Sequence, residues 1–199
     1  MLSTILLAAT LAPAAPPEVA PPPRAKAVAV TPEVAAKLSA IAFQAARDGD
    51  RDTLAAYFAA GRPVNEPNAR GDTLLTLAAY YSQEEAVALI LKQPGVAVDA
   101  RNAMGLTALA AAAFKGHVGI ARKLVAAKAD VNAASSSGQT ALMFAALTGR
   151  TAVVEYLLSA GADPRAADRA GSTALSLARS QGADAVARLL EAAPAAPRR

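Results

Sequence analysis

His117 is the only imidazole in this chain of 199 residues, and there is no cysteine. An imidazole works as a general acid or base when a nucleophile and an orienting carboxylate stand within hydrogen-bond reach. The residues around it, Lys115-Gly116-His117-Val118-Gly119, supply neither. The densest acidic group is Asp48, Asp50 and Asp52 in ARDGDRDTL. A calcium loop would continue from such carboxylates to a bidentate Glu; none follows in register, so these read as helix-start carboxylates beside a turn. Thiolate chemistry and cysteine metal sites are excluded by composition. The glycines come singly at a fixed interval, unlike a loop that cradles phosphate. No catalytic residue, metal or cofactor is therefore expected, and whatever this chain does it does with its surface.

The elements that must build that surface are rich in alanine. Hydrophobic residues make up 54% of the chain but aromatics only 4%, which suits closely packed helices better than a sandwich of strands. The net charge of +4 suggests an anionic partner until the charges are located. Arg24, Lys26, Arg198 and Arg199 lie in the flanks, and from Val34 to Ala193 there are 16 Lys and Arg against 14 Asp and Glu. Signs are interspersed, whereas a nucleic-acid track needs clustered cations with stacking rings among them. No nucleic-acid partner is expected.

The two ends differ from the middle. Leu2–Ala12 is apolar and uncharged, too short for the roughly 20 residues that span a bilayer. With small residues at Ala12-Pro13-Ala14 it reads as a signal peptide over 1–14, though no Lys or Arg precedes the apolar run. Residues 15–30 form a Pro/Ala linker, and 194–199 a tail. The expectation is export to a bacterial-type periplasm or beyond, with a leader on a cytoplasmic protein as the alternative, and a chain that acts as a monomer.

Between the ends the chain repeats itself. Gly71-Asp72-Thr73 recurs as Gly105-Leu106-Thr107, Gly138-Gln139-Thr140 and Gly171-Ser172-Thr173, at spacings of 34, 33 and 33. Nine residues after each Thr stands Ser82, Gly116, Gly149 or Gly182, and eight and nine beyond that an apolar pair such as Leu157-Leu158. The pattern predicts two short helices per unit, the first opened by the Thr hydroxyl and closed at the Gly or Ser. Neither helix can bury its apolar stripe alone, and stacking the units buries it continuously.

These residues carry a resemblance to the ankyrin-repeat family: Gly-x-Thr-Ala-Leu at 105–109, 138–142 and 171–175, Gly-His at 116–117, and Ala-Asp-Val-Asn-Ala at 129–133. The resemblance implies an all-α solenoid of helix-turn-helix units joined by β-hairpin-like loops. It divides residues 31–193 into an N-terminal capping unit (about 34–66), repeats at 67–100, 101–133 and 134–166, and a C-terminal capping unit (167–193). It gives His117 a structural role. Departures are visible: Leu74, Ala108, Ala141 and Ala174 replace the family's proline, and Thr76, Ala110, Met143 and Ser176 its histidine. Lys128 stands where Gly161 stands in the next unit, and one extra residue falls near Lys92-Gln93-Pro94. The replacements imply a loss of stiffening hydrogen bonds.

The resemblance also implies where a partner would bind: on hairpin tips and on the two residues before each helix-ending glycine. The latter are Arg47-Asp48, Tyr80-Tyr81, Phe114-Lys115, Leu147-Thr148 and Ser180-Gln181. The former include Arg70, Asp72, Arg101, Met104, Leu106, Gln139, Arg169 and Ser172. Three of the eight Phe and Tyr residues fall at Tyr80, Tyr81 and Phe114, where interface anchors would stand. The expected function is non-catalytic binding of another protein. An inhibitor or immunity-type protein for one enzyme or toxin is the alternative, with an anionic-surface binder behind it.

Overall fold

The computed structural model describes residues 31–194. The expected leader, the linker up to Val30 and the tail beyond Pro194 lie outside the described residues. The described residues form ten helices in five pairs. The first members are α1 (Pro32–Asp48), α3 (Leu74–Tyr80), α5 (Ala108–Lys115), α7 (Ala141–Leu147) and α9 (Ala174–Ser180). The second members are α2 (Arg51–Ala59), α4 (Glu84–Leu91), α6 (Val118–Ala126), α8 (Thr151–Ser159) and α10 (Asp184–Ala192). Each first helix packs on the next first helix, each second helix on the next second helix, and the two members of a pair on each other. The result is a two-layer stack in which contacts run to neighbouring units.

Local chemistry sets the helix ends. Thr73, Thr107, Thr140 and Thr173 each cap a first helix, the hydroxyl accepting from the backbone N–H three residues on. Such caps are worth about 1 kcal/mol each. Thr31 caps α1 in the same way, with Pro32 at the first helical position where its missing N–H costs nothing. The second helices α4, α6, α8 and α10 have no side-chain cap. Their starts are held from the preceding turn: the N–H groups of Gln83, His117, Arg150 and Ala183 donate back to Ala78, Ala112, Ala145 and Ala178 at 2.8–2.9 Å. That bond spans a left-handed residue, Ser82, Gly116, Gly149 or Gly182.

The core explains the alanine. Every residue of Leu74–Ala79 and of Ala108–Ala113 is buried, because these helices have a neighbour on three sides. Larger side chains fill the seam between layers: Leu109, Leu142 and Met143 from first helices, Ile90, Ile120, Leu124 and Leu157 from second ones, all at most 1% exposed.

The hairpins repeat one device. In each, the side chain of Asn68, Asn102, Ser135 or Asp168 accepts from the N–H four residues on, and its own N–H donates to that residue's carbonyl. Adjacent tips are joined by backbone bonds: Ala103 to Arg70, Ser136 to Met104 and Arg169 to Ser137, at 3.0–3.1 Å. This approach leaves no room at Gly105, where a Cβ would meet the Ser136 nitrogen at 2.4 Å. The last two hairpins add the bridges Ala134–Thr140 and Ala167–Thr173.

The expected loss of stiffening bonds is only half right. Thr76 Oγ1 lies 3.1 Å from Thr73 Oγ1, and Ser176 Oγ accepts from the Thr173 N–H at 2.9 Å. Two of the four replacements thus bring a hydroxyl that restores a side-chain bond, and the loss is confined to Ala110 and Met143. The extra residue near Pro94 is absorbed by the turn after α4, so that Gly95 regains the left-handed position held by Gly61, Lys128 and Gly161.

Candidate functional site

The ends of α3, α5 and α7 bring four rings together on the side made by first helices and hairpins. Tyr80 lies parallel to Phe114 with ring centroids 6.5 Å apart, Tyr81 meets Tyr80 edge-on at 5.3 Å, and Phe144 meets Phe114 edge-on at 6.5 Å. Lys115 sits over Tyr80, 5.1 Å from the centroid. Tyr80, Tyr81 and Phe114 stay 40%, 46% and 37% exposed. Capping one repeat with the next therefore covers only part of each ring. A contiguous exposed aromatic row on a packed scaffold is the kind of surface that anchors a partner.

Phe144 was not foreseen. Its signal was available: it stands three and four residues before Leu147 and Thr148, and so shares their helix face. Leu147 and Thr148 are half-buried. The Thr148 hydroxyl donates to the Phe144 carbonyl at 2.9 Å and lies 3.1 Å from that of Phe114, tying α7 to α5 beneath the rings. At the other end of the row, Arg47 is half-buried, its carbonyl accepting from Gln83, and Asp48 is exposed and accepts from Gln44. Ser180 and Gln181 are exposed at the end of α9, beyond the rings.

At the opposite end of the first helices stand the hairpin residues. Met104 is 64% exposed at a tip, while Leu106 is half-buried below it. Arg70, Arg101 and Arg169 are exposed, and Arg101 donates to the Ala134 carbonyl at 2.6 Å. Asp72 is half-buried and already engaged, accepting from Asn102 at 2.8 Å and Asn68 at 3.3 Å. Gln139 and Ser172 are half-buried with backbones held in the turn device. So the structure gathers Tyr80, Tyr81, Phe114 and Lys115 in one cluster, and Arg70, Arg101, Met104 and Arg169 in one hairpin row. It gives Asp72 and Thr148 internal bonds.

His117 bonds through Nε2 to Ser82 Oγ of the preceding repeat. Its pKa is pushed below the ordinary value by burial first, then by Lys115 and Arg150, against a weaker pull from Glu84. The pair staples α4's start to α6's, and among the described residues no carboxylate bonds to the other ring nitrogen. Asp50 caps α2, and the Thr53 hydroxyl and N–H hold its pKa below the usual carboxylate value. Asp48 and Asp52 flank it at the end of α1 and in the first turn of α2. A surface concavity of about 410 Å³ lies among Phe58, Arg62, Asn65 and Gly95, where Asn65 bridges two loops by bonding to the Gly95 carbonyl and the Ala97 N–H. No helix among the described residues is long and apolar enough to cross a membrane.

Two family models match the chain: ankyrin repeats (3 copies) over residues 42–135, and ankyrin repeats (many copies) over 124–178. No curated protein matches at a significant level. Arrays of this kind generally mediate protein–protein interaction and are typically non-catalytic. With the 33-residue period, the Thr-capped helix pairs and the hairpin device all in place over the matched residues, the chain belongs to the ankyrin-repeat family.

Proposed function

We propose that this chain is a non-catalytic binding protein that grips one protein partner across the side formed by its first helices and hairpin tips. The observation that carries the reading is the exposed row Tyr81–Tyr80–Phe114, continued by half-buried Phe144, on a scaffold whose other large apolar groups are mostly buried. The surface is largely preformed, so binding costs little ordering of the array. We further propose that the chain works outside the cytoplasm, on the strength of the apolar run Leu2–Ala12, and that it acts as a monomer.

The test is replacement of Tyr80, Tyr81 and Phe114 by Ala, with helicity and melting followed separately from capture of the native partner. Each anchor is worth about 2 kcal/mol or more, so the triple variant should lose capture while staying folded. Undiminished capture by a folded variant would remove this face from consideration.

A further inference from the structure

Several cations around the ring row and the hairpin tips take part in no ion pair. On the second-helix side Arg51 pairs with Glu85 at 3.7 Å and Lys123 with Glu84 at 3.4 Å, while Lys92, Arg122 and Arg188 make no ion pair among the described residues. Arg70, Arg101 and Arg169 at the hairpins, Lys115 over Tyr80, and Arg150 beside Gly116 have no carboxylate within ion-pairing distance among the described residues. Two carboxylates of the hairpins are held by internal donors: Asp72 by Asn68 and Asn102, Asp168 by the N–H groups of Ala170 and Ser172. We propose that the occupant of this side is an acidic peptide segment that carries apolar or aromatic anchors, an inference that rests on the protein-binding reading above.

The spacing sharpens the chemistry. The arginine row and the Lys115–Arg150 end are separated by a first helix, which for the seven residues Leu74–Tyr80 is roughly 10 Å. An extended peptide covers that in about three residues. The matching segment therefore has acidic groups some three to four residues apart, with a large apolar side chain between them that seats on Tyr80 and Phe114. Single-stranded nucleic acid fits less well, since a base needs a bare ring face. Lys115 lies over Tyr80, and Phe144 and Tyr81 turn their edges into the row. The segments flanking the array are also poor occupants: Arg24 and Lys26 outnumber Glu18 before Thr31, and Arg198 and Arg199 follow Pro194 with no acidic residue among them.

The experiment pans the full chain against a displayed library of random dodecapeptides and remeasures synthesised winners against variants whose folding has been checked by melting. Enriched peptides should be net negative with an apolar residue between acids. Their affinity should fall on the order of tenfold or more with Arg70→Glu, Arg101→Glu and Arg169→Glu combined, with Tyr80→Ala and Phe114→Ala combined, and on raising salt. Winners that need the rings but are neutral or basic, or ignore the arginine reversal, would overturn the acidic assignment and leave the protein-binding face standing. Winners that ignore the rings, or no enrichment at all, would overturn both. Arginine-dependent binding of oligothymidylate at equal or higher affinity, or self-association that competes with the peptides, would replace the acidic peptide by nucleic acid or by a second copy.

Discussion

Lys128 is held at φ +71, in the register where Gly61, Gly95 and Gly161 sit at +71, +74 and +90. The left-handed region costs an L-residue roughly 1–2 kcal/mol because Cβ crowds the following carbonyl. The surrounding hydrogen bonds are the same whether Lys or Gly is present: Ala129 donates to Leu124 at 3.0 Å and Ala162 to Leu157 at 2.9 Å. Lys128 is exposed and makes no ion pair among the described residues. Lys128→Gly should therefore relieve strain without losing a contact. Against this stands the greater freedom of glycine in the unfolded chain, about 0.4–1 kcal/mol. The net gain is about 0.5–1 kcal/mol, a rise in Tm of roughly 1–4 °C for an array of this size. The reciprocal change Gly161→Lys enters open space, with nothing within 4 Å of its Cβ, and should lose a similar amount. Urea and thermal melts followed by circular dichroism measure both. A Lys128→Gly variant no more stable than the parent, or a Gly161→Lys variant as stable, would refute the argument from backbone strain.

Other consequences follow from packing and charge. Leu157 is fully buried between layers, so Leu157→Ala should cost about 2–5 kcal/mol in a denaturant titration; an unmoved midpoint would contradict the repeat register. Gly105→Ala drives a methyl group into the backbone of the next hairpin and should cost about 2 kcal/mol or more, whereas Gly171→Ala in the same register meets nothing within 4 Å and should cost only the left-handed strain of about 1 kcal/mol. Equal losses would sink the claim that hairpin tips are closely seated. His117 has a folded pKa below its unfolded one, so its neutral form favours the fold. The stability this confers is complete above the unfolded value near pH 6.5 and is lost as pH falls through the folded pKa. Melting temperature should drop across that acid window in the parent and drop less in His117→Gln; identical profiles would show that the imidazole does not control it.

The fold was legible because its period is redundant. Thr caps, left-handed turns and apolar pairs each mark the same units, so Lys128 in place of a glycine or Leu74 in place of a proline could not hide the register. Packing between side chains was less legible. Phe144 stands a turn before the pair that ends its helix; the shared face marks it in the sequence, but only its contact with Phe114 of the preceding repeat makes it part of the row. Thr76 and Ser176 were read as losses because a replaced histidine says nothing of where a hydroxyl turns, and here both turn toward the capping Thr. Asp72 looked like a surface charge, but Asn102 stands 30 residues away in sequence and meets it across the hairpin row.

The central claim is that partners meet the ring row and avoid the second-helix side. A photo-cross-linking phenylalanine placed at Phe114, and separately at the exposed position Glu155 of α8, tests it in cells where the partner is present. The account predicts one discrete protein adduct from position 114 and none from position 155. The reverse result, or the same adduct from both, would contradict it.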